Sequence, residues 1–268
     1  MKIIISHDVD HLQVTEHYAD LVVFKFIVRA CIELLTGKIS MHSWLRRLFV
    51  LFTNCWHRIP EIIKFNKENN IPATFFFGMA KGKGMVYSNK KVQPWIKYAL
   101  DKGFDVGVHG IAYDNEEEIR KEYQLFENDS DKNSFGIRMH YLRQNEYTFL
   151  NLEKAGYIFD SSVYALSNPY KIGKMWEFPL SLMEGYLFEN GKPWQSKSLE
   201  EVKNKTIEVF KEAESKNLQY FSVLFHDRYF DSSFDDWEKW YVWLIEFVKE
   251  QNNTFISYSD AIKELENI

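Results

Sequence analysis

Ile3-Ile4-Ile5-Ser6-His7-Asp8-Val9-Asp10-His11 is the stretch that decides how this chain is read. Its β-branched run is a short buried strand, and it ends in two carboxylates and two imidazoles within five positions. Alternate side chains of a strand share a face, so Asp8 and Asp10 point one way and His7 and His11 the other. Two carboxylates that close repel unless a cation or a hydrogen-bond network compensates them. A divalent metal would do so, one carboxylate binding it and the other staying free as a base. A polar strand end facing solvent is the alternative.

Outward from this strand, strands and helices alternate. Helical segments are expected at 15–36, 41–57 and 59–69, then a strand at 73–78, a helix at 92–102 stopped by Gly103, and a strand at 104–108. The acidic stretch 114–127 is a helix start or a solvated face, and 128–134 is a surface loop. Further strands fall at 135–139, 157–160, 175–179, 219–225 and 254–257. Such alternation means a mainly parallel sheet or barrel. Ionisable groups sit at the strand ends: Asp8 and Asp10, His109, Arg138 and His140, Asp160, and His226 with Asp227. In a parallel barrel those ends share one rim, where active sites assemble. A single such histidine is ordinary core; five strands ending this way point to a metal or acid–base site.

Composition narrows the class. The chain has 268 residues, 46% hydrophobic and 17% aromatic, enough to bury a full core. A net charge of −5 and a pI near 5.9 argue against nucleic acid as a partner. The two cysteines, Cys31 and Cys55, suit buried thiols in a reducing compartment rather than a disulfide framework. No export signal is visible, so a cytoplasmic location, at the inner face of the membrane, is the expectation. The apolar stretch 21–35 is interrupted by Lys25, Arg29 and Glu33, spaced four apart. It reads as a mostly buried helix with one wet edge; a helix resting on a membrane surface or covering a partner is the alternative.

At these residues the chain resembles the polysaccharide deacetylases of carbohydrate esterase family four, the NodB-homology group. Ser6-His7-Asp8-Val9-Asp10 looks like the family's first motif, and Ala73-Thr74-Phe75-Phe76-Phe77 like its second strand. Val106-Gly107-Val108-His109-Gly110 looks like the start of the second motif, and Arg138-Met139-His140-Tyr141 stands in the place of the third. Leu224-Phe225-His226 resembles the last motif, and Thr254-Phe255-Ile256-Ser257-Tyr258 the final strand. Residues 12–58 and 180–215 have no part in the resemblance.

The resemblance implies an α/β fold, a distorted parallel (β/α) barrel of about seven strands, as one deacetylase-like domain over 1–268 with a helical insertion at 12–58. It implies removal of an N-acetyl group from an amino sugar by a metal-dependent hydrolase, usually with zinc. Asp8 would be the base that deprotonates water, Arg138 its partner, and His226 the acid that protonates the departing amine, oriented by Asp160. Asp10 and His109 would bind the metal. The family's second motif carries another histidine four residues after His109, where this chain has Tyr113. Either metal binding is weak or absent, or another residue completes the set, and His140 is the expected third ligand.

Tyr113, Tyr141, Trp176 and Glu177 are assigned to substrate, Trp176 to stack on a sugar and Glu177 to bind hydroxyls. The partner expected is an amino-sugar glycan, lipid- or nucleotide-linked, in surface-polysaccharide or glycolipid synthesis, with peripheral membrane contact. A catalytically inactive glycan-binding or assembly protein is the alternative. Residues 12–58 should cover one side of the cleft, with Arg46 and Arg47 as a basic spot for a phosphate or an anionic head group.

Overall fold

The computed structural model describes residues 1–267. β1 (Lys2–Val9), β2 (Thr74–Gly78), β3 (Asp105–Gly110), β4 (Ile137–Met139) and β5 (Phe159–Asp160) form neighbouring parallel staves in chain order. β6 (Tyr170–Ile172) is an antiparallel edge on β7 (Met175–Glu177). β7 runs, across Phe178-Pro179 alone, into β8 (Leu180–Met183). β7 pairs with β5, while β8 pairs with β9 (Tyr220–Leu224), which returns to β1. One bent stretch thus closes the circle. Leu180 N–H donates to Val163 O at 2.7 Å, and Ala165 N–H to Leu180 O at 3.1 Å, stitching the chain after β5 to β8. The result is a distorted parallel barrel with staves β1, β2, β3, β4, β5, β7–β8 and β9; β10 (Thr254–Phe255) adds to the start of β1.

Helices α1 (Val22–Leu35), α2 (Met41–Thr53) and α3 (Ile59–Glu68) lie between β1 and β2; α4 (Asn89–Asp101), α5 (Glu116–Ser130) and α6 (Thr148–Ala155) follow β2, β3 and β4. α7 (Glu184–Glu189) and α8 (Leu199–Ser215) connect β8 to β9, and α9 (Asp235–Glu250) and α10 (Tyr258–Glu266) complete the chain. Local chemistry sets their ends. Ser40, Asn115 and Ser257 each accept from the backbone N–H three residues on, Ser198 and Glu201 form a capping box, and Gly103 (φ +87°) stops α4 as its position predicted. The first helix begins later than the 15–36 expected for it. Val14–His17 is a 3-10 turn, and Leu21 at φ 63° reverses the chain before α1.

Strand alternation divides the core in two. Ile3, Ile5, Val9, Phe75, Phe77 and Val108 face outward to the helices. Ile4, Phe76, Phe159, Phe178, Tyr220 and Tyr258 fill the lumen, where α10 plugs the amino-terminal end through Tyr258, Ala261 and the Lys2–Glu264 ion pair. Complete burial of Phe76 contributes about 1.5–3 kcal/mol. A β-carbon on Gly107 would lie 2.7 Å from Gly136 O and 2.8 Å from the Phe76 ring, so only glycine fits there. Above this plug the lumen turns polar, with Ser6, Asp8, Arg138 and Ser161 all buried.

The amphipathic reading of residues 21–35 is inverted. Glu33, Ala30 and Phe26 are buried, Arg29 pairs with Glu33 at 2.8 Å, and Lys25 and Arg29 line a cleft at the barrel rim. Phe24 (63%), Leu35 (86%), Phe49 (66%) and Phe52 (85%) face outward. Arg47 is wholly buried, donating to Glu33 and to Ser233 O, and Arg46 turns to His42 and Ser232. The basic spot expected from these two arginines does not exist as a pair on the surface.

Candidate metal and catalytic site

Three chain segments bring Asp10, His109 and His140 together at the carboxyl-terminal rim. Asp10 lies just past β1, His109 near the end of β3 and His140 just past β4. Each offers one ligand atom, and these atoms lie within 4.8 Å of one another. Asp10 Oδ1 is 3.2 Å from His109 Nε2 and 3.3 Å from His140 Nδ1, and the two ring nitrogens are 2.9 Å apart. His109 Nδ1 lies 3.0 Å from Arg138 O and His140 Nε2 lies 3.2 Å from Lys83 O. A carbonyl only accepts, so each ring gives its N–H there and turns a lone pair toward Asp10. Two lone pairs and a carboxylate then converge on one point, and Asp10 Oδ1 is buried there without a hydrogen bond. This donor set, two imidazoles and one carboxylate, is one that zinc accepts while keeping further positions open.

The electrostatics agree. Burial pushes the Asp10 carboxyl up, but His140, His109 and His226 outweigh it and hold the pKa well below the usual carboxylate range. Burial lowers the His140 imidazole, yet Asp10 reverses this and raises it. A site that draws a proton to an imidazole beside a carboxylate draws a divalent cation by the same field. His140 is held by an unusual backbone: Tyr141 and Leu142, next in the chain, stand at φ 58° and 52°. Two successive non-glycine residues in the left-handed region are a strained turn, of a kind that clusters at functional sites.

Asp8 shares the face of Asp10 but has different company. Its Oδ1 accepts from Arg138 Nη1 at 3.0 Å, and its Oδ2 lies 3.7 Å from His109 Nδ1. Arg138 also donates to Ser161 O, Ser6 Oγ, Ser161 Oγ and Tyr258 Oη, under the ring of Phe76 at 4.6 Å. With its nitrogens partnered on rigid strands, the guanidinium fixes the carboxylate in place. Across the site, His226 Nε2 is 3.6 Å from Asp10 Oδ2, and its Nδ1 donates to the buried carboxylate of Glu184. Burial alone would lower the His226 pKa; Glu184 and then Asp10 raise it well above the ordinary value. Glu184 thus favours the imidazolium form of His226, a proton donor facing the cleft.

The remaining expected residues are dispersed. Tyr141 lines the cleft, 69% exposed. Tyr113 does not: its ring lies under Arg143 at 5.0 Å, and Thr148 is hydrogen-bonded to its carbonyl. Asp160 is a correction. It accepts from Ser162 N–H and Oγ and faces Glu177 inside the barrel, so the carboxylate on His226 is Glu184 instead. Glu177 accepts from Val163 N–H, and burial beside Asp160 raises its pKa far above the usual range, leaving it a buried acid away from substrate. Trp176 gives its N–H to Glu266 at the plugged end, away from the cleft. His7 faces the helices as alternation requires, packed on Phe75 and bonded to Asn66, with burial lowering its pKa to about 4. His11 departs from that rule because β1 ends at Val9; it reaches the cleft and bonds His17 at 3.0 Å.

The cleft over these groups has a volume of about 750 Å³, room for a small glycan. α1 forms one wall through Val22, Lys25, Phe26 and Arg29, and Met183, Glu184 and Tyr186, at and just past the end of β8, also line the cleft. No protein-family model matches the chain, and no curated protein matches it in sequence. Solved structures match along nearly its whole length. A Mycobacterium smegmatis protein assigned to the polysaccharide deacetylases superposes with a TM-score of 0.63 at 15% identity, covering 98% of this chain and 88% of its own. The peptidoglycan N-acetylglucosamine deacetylase Bc1960 gives 0.52 at 13% identity, covering 97% and 86%. What the chain shares with them is the fold, the distorted barrel of polysaccharide deacetylases.

Proposed function

We propose that this protein removes an N-acetyl group from an amino sugar, with a zinc ion held by Asp10, His109 and His140. The observation that carries this reading is the convergence of two imidazole lone pairs and the orphaned Asp10 oxygen beside a separately held carboxylate and a histidine paired with Glu184. A divalent ion supplies Lewis-acid polarisation of the acyl carbonyl and acidifies water. Asp8 takes the proton of the attacking water, and Arg138 keeps that carboxylate oriented for it. His226, kept charged by Glu184, gives its proton to the amine as the C–N bond breaks. Tyr141, beside His140 at a ring distance of 4.3 Å, offers an exposed ring for the sugar to pack on.

The reading extends to the setting. Residues 1–268 act as one catalytic domain in which segment 12–58, inserted after β1, walls the cleft. The substrate is a lipid- or nucleotide-linked amino sugar of surface-polysaccharide or glycolipid synthesis, met in the cytoplasm at the membrane's inner face. Both cysteines are free, as suits a reducing compartment. Among the described residues no helix is long and apolar enough to cross a membrane. The outward faces of α1 and α2 carry Phe24, Leu35, Phe49 and Phe52. Of the five Lys and Arg side chains in residues 22–53, Arg47 is buried and Lys25 and Arg29 line the cleft. An exposed apolar face of this kind suits a bilayer surface.

Protein purified without chelator is assayed for bound metal and for acetate release from N-acetylglucosamine, its 1-phosphate and its nucleotide-linked form. The expected result is one zinc per chain and release that is lost with chelator and restored by zinc. Metal or glycan binding without acetate release from any of them would favour the non-catalytic alternative.

A further inference from the structure

One cationic group on the cleft has no role in the chemistry above. Arg228 follows the His226 strand end, in the short 3-10 turn Asp227–Tyr229, and its side chain lines the same cleft as Asp8, Asp10 and His226. Four aromatic rings surround its guanidinium carbon: Trp56 at 4.7 Å, Phe26 at 5.4 Å, Tyr229 at 5.6 Å and Phe234 at 5.7 Å. Among the described residues the guanidinium makes no hydrogen bond and no ion pair, and its Nε is buried without a partner. A guanidinium has five donors and no acceptor, and leaving buried donors unmet costs free energy that stacking on rings offsets only in part. The neighbouring arginine shows the contrast: Arg29 also lines the cleft, but Glu33 and Glu189 pair with it at 2.8 Å. Arg228 is thus oriented by its aromatic cage and left without the anion that such forks bind.

We infer that Arg228 is an anion anchor of the substrate cleft, binding a phosphate or carboxylate carried by the amino-sugar substrate while the acetamido group lies at Asp8, Asp10 and His226. The chemistry fits the group: a planar fork meets phosphate or carboxylate oxygens two at a time. The low-dielectric aromatic surround strengthens that contact relative to water. Lys25 and Lys83, on the same cleft, add positive charge. The identity of the substrate rests on the deacetylase reading; the anion site itself does not.

Binding is therefore measured without turnover, by calorimetry with deacetylated sugars. Glucosamine 1-phosphate tests phosphate, muramic acid tests carboxylate, and glucosamine, which carries the same amine without an anionic group, is the control. Wild-type protein is expected to bind one of the two anion-bearing sugars about tenfold or more tighter than glucosamine, in line with a charge-assisted pair. Arg228→Gln should bring the two affinities within about twofold, and Arg228→Lys, which keeps charge and stem but loses the fork, should fall between them. Equal affinities for the sugars with and without an anionic group in the wild type would overturn the proposal whether or not the variants fold. So would an undiminished advantage in a folded Arg228→Gln protein. A failure of acetate release with the phosphate or carboxylate preference intact would sink the catalytic reading and leave this one standing.

Discussion

The two sides of the cleft are built differently. On the strand side, polar groups have fixed partners: Arg138 spends its donors on Asp8, Ser6, Ser161 and Tyr258, and His109 and His140 each give one N–H to a carbonyl. What is left over there is one point where lone pairs meet. On the helical side, Arg228 stands in its ring cage without an acceptor, and the outer face of α1 and α2 stays apolar and uncovered. The first region converges on a point whose donors fit a cation. The second turns an unpaired guanidinium to the cleft and an apolar face outward, the features on which the proposed anion and membrane contacts rest. Backbone hydrogen bonds hold the strand ends to fixed positions, which suits chemistry needing sub-ångström placement. A helical hairpin packed over the rim can accept larger and less defined partners.

The largest effect should come from the strand side. Asp8→Asn keeps shape and removes the base, and acetate release should fall by roughly 10²–10⁴-fold with metal content unchanged; release within tenfold of wild type would take Asp8 out of the proton transfer. Next, His140→Ala removes one of the three ligands. Zinc affinity, read by competition with a chromogenic chelator, should drop by more than about 100-fold, beyond what loss of a supporting hydrogen bond causes. An unchanged affinity would show that another residue completes the set.

A smaller effect is a shift in pH dependence. Glu184 is the first of the groups that raise the His226 pKa, and in the proposed mechanism the acid form of His226 is the one that works. Glu184→Gln should therefore move the alkaline limb of the kcat profile to lower pH, cutting activity several-fold at pH 8 and less at pH 6. An unmoved limb would mean that His226 does not set it. The smallest effect on the fold belongs to the hairpin: Phe49→Asp with Phe52→Asp alters exposed positions and should change stability by no more than about 0.5 kcal/mol per site. The same pair should abolish sedimentation with phosphatidylglycerol vesicles; retained sedimentation would place the membrane contact elsewhere or nowhere.

Much of the strand side was legible in the sequence because strand period and strand end carry most of its information. Asp8, Asp10 and His109 follow from alternation and position, and His140, two residues beyond Arg138, was found by the rule that ionisable groups at strand ends share a rim. The same rule applied to Leu180–Met183 would have found Glu184. From sequence the strand is expected to end at residue 179, leaving Leu180–Met183 with none, because the bend at Phe178-Pro179 looks like a strand end. The resemblance sets Asp160 on His226, but its neighbours Ser162 and Glu177 capture it inside the barrel. The helical side was harder. Residues 21–35 are apolar nearly all round, so period alone cannot say which stripe is buried, and the buried stripe is the one that holds Glu33 because Arg29, Arg47 and the Gln195 N–H meet it there. Arg228 was invisible for a similar reason: half of its aromatic cage, Phe26 and Trp56, comes from a distant part of the chain.

The central claim is that Asp10, His109 and His140 hold a metal that this protein uses to cleave an amide. Acetate release from N-acetylglucosamine 1-phosphate, measured on metal-stripped protein titrated with zinc, tests it most directly. The account predicts no release without metal and a rise that saturates at one zinc per chain, absent in His140→Ala at the same zinc concentration. Release by the stripped protein, or a zinc-dependent rise of the same size and midpoint in His140→Ala, would contradict it.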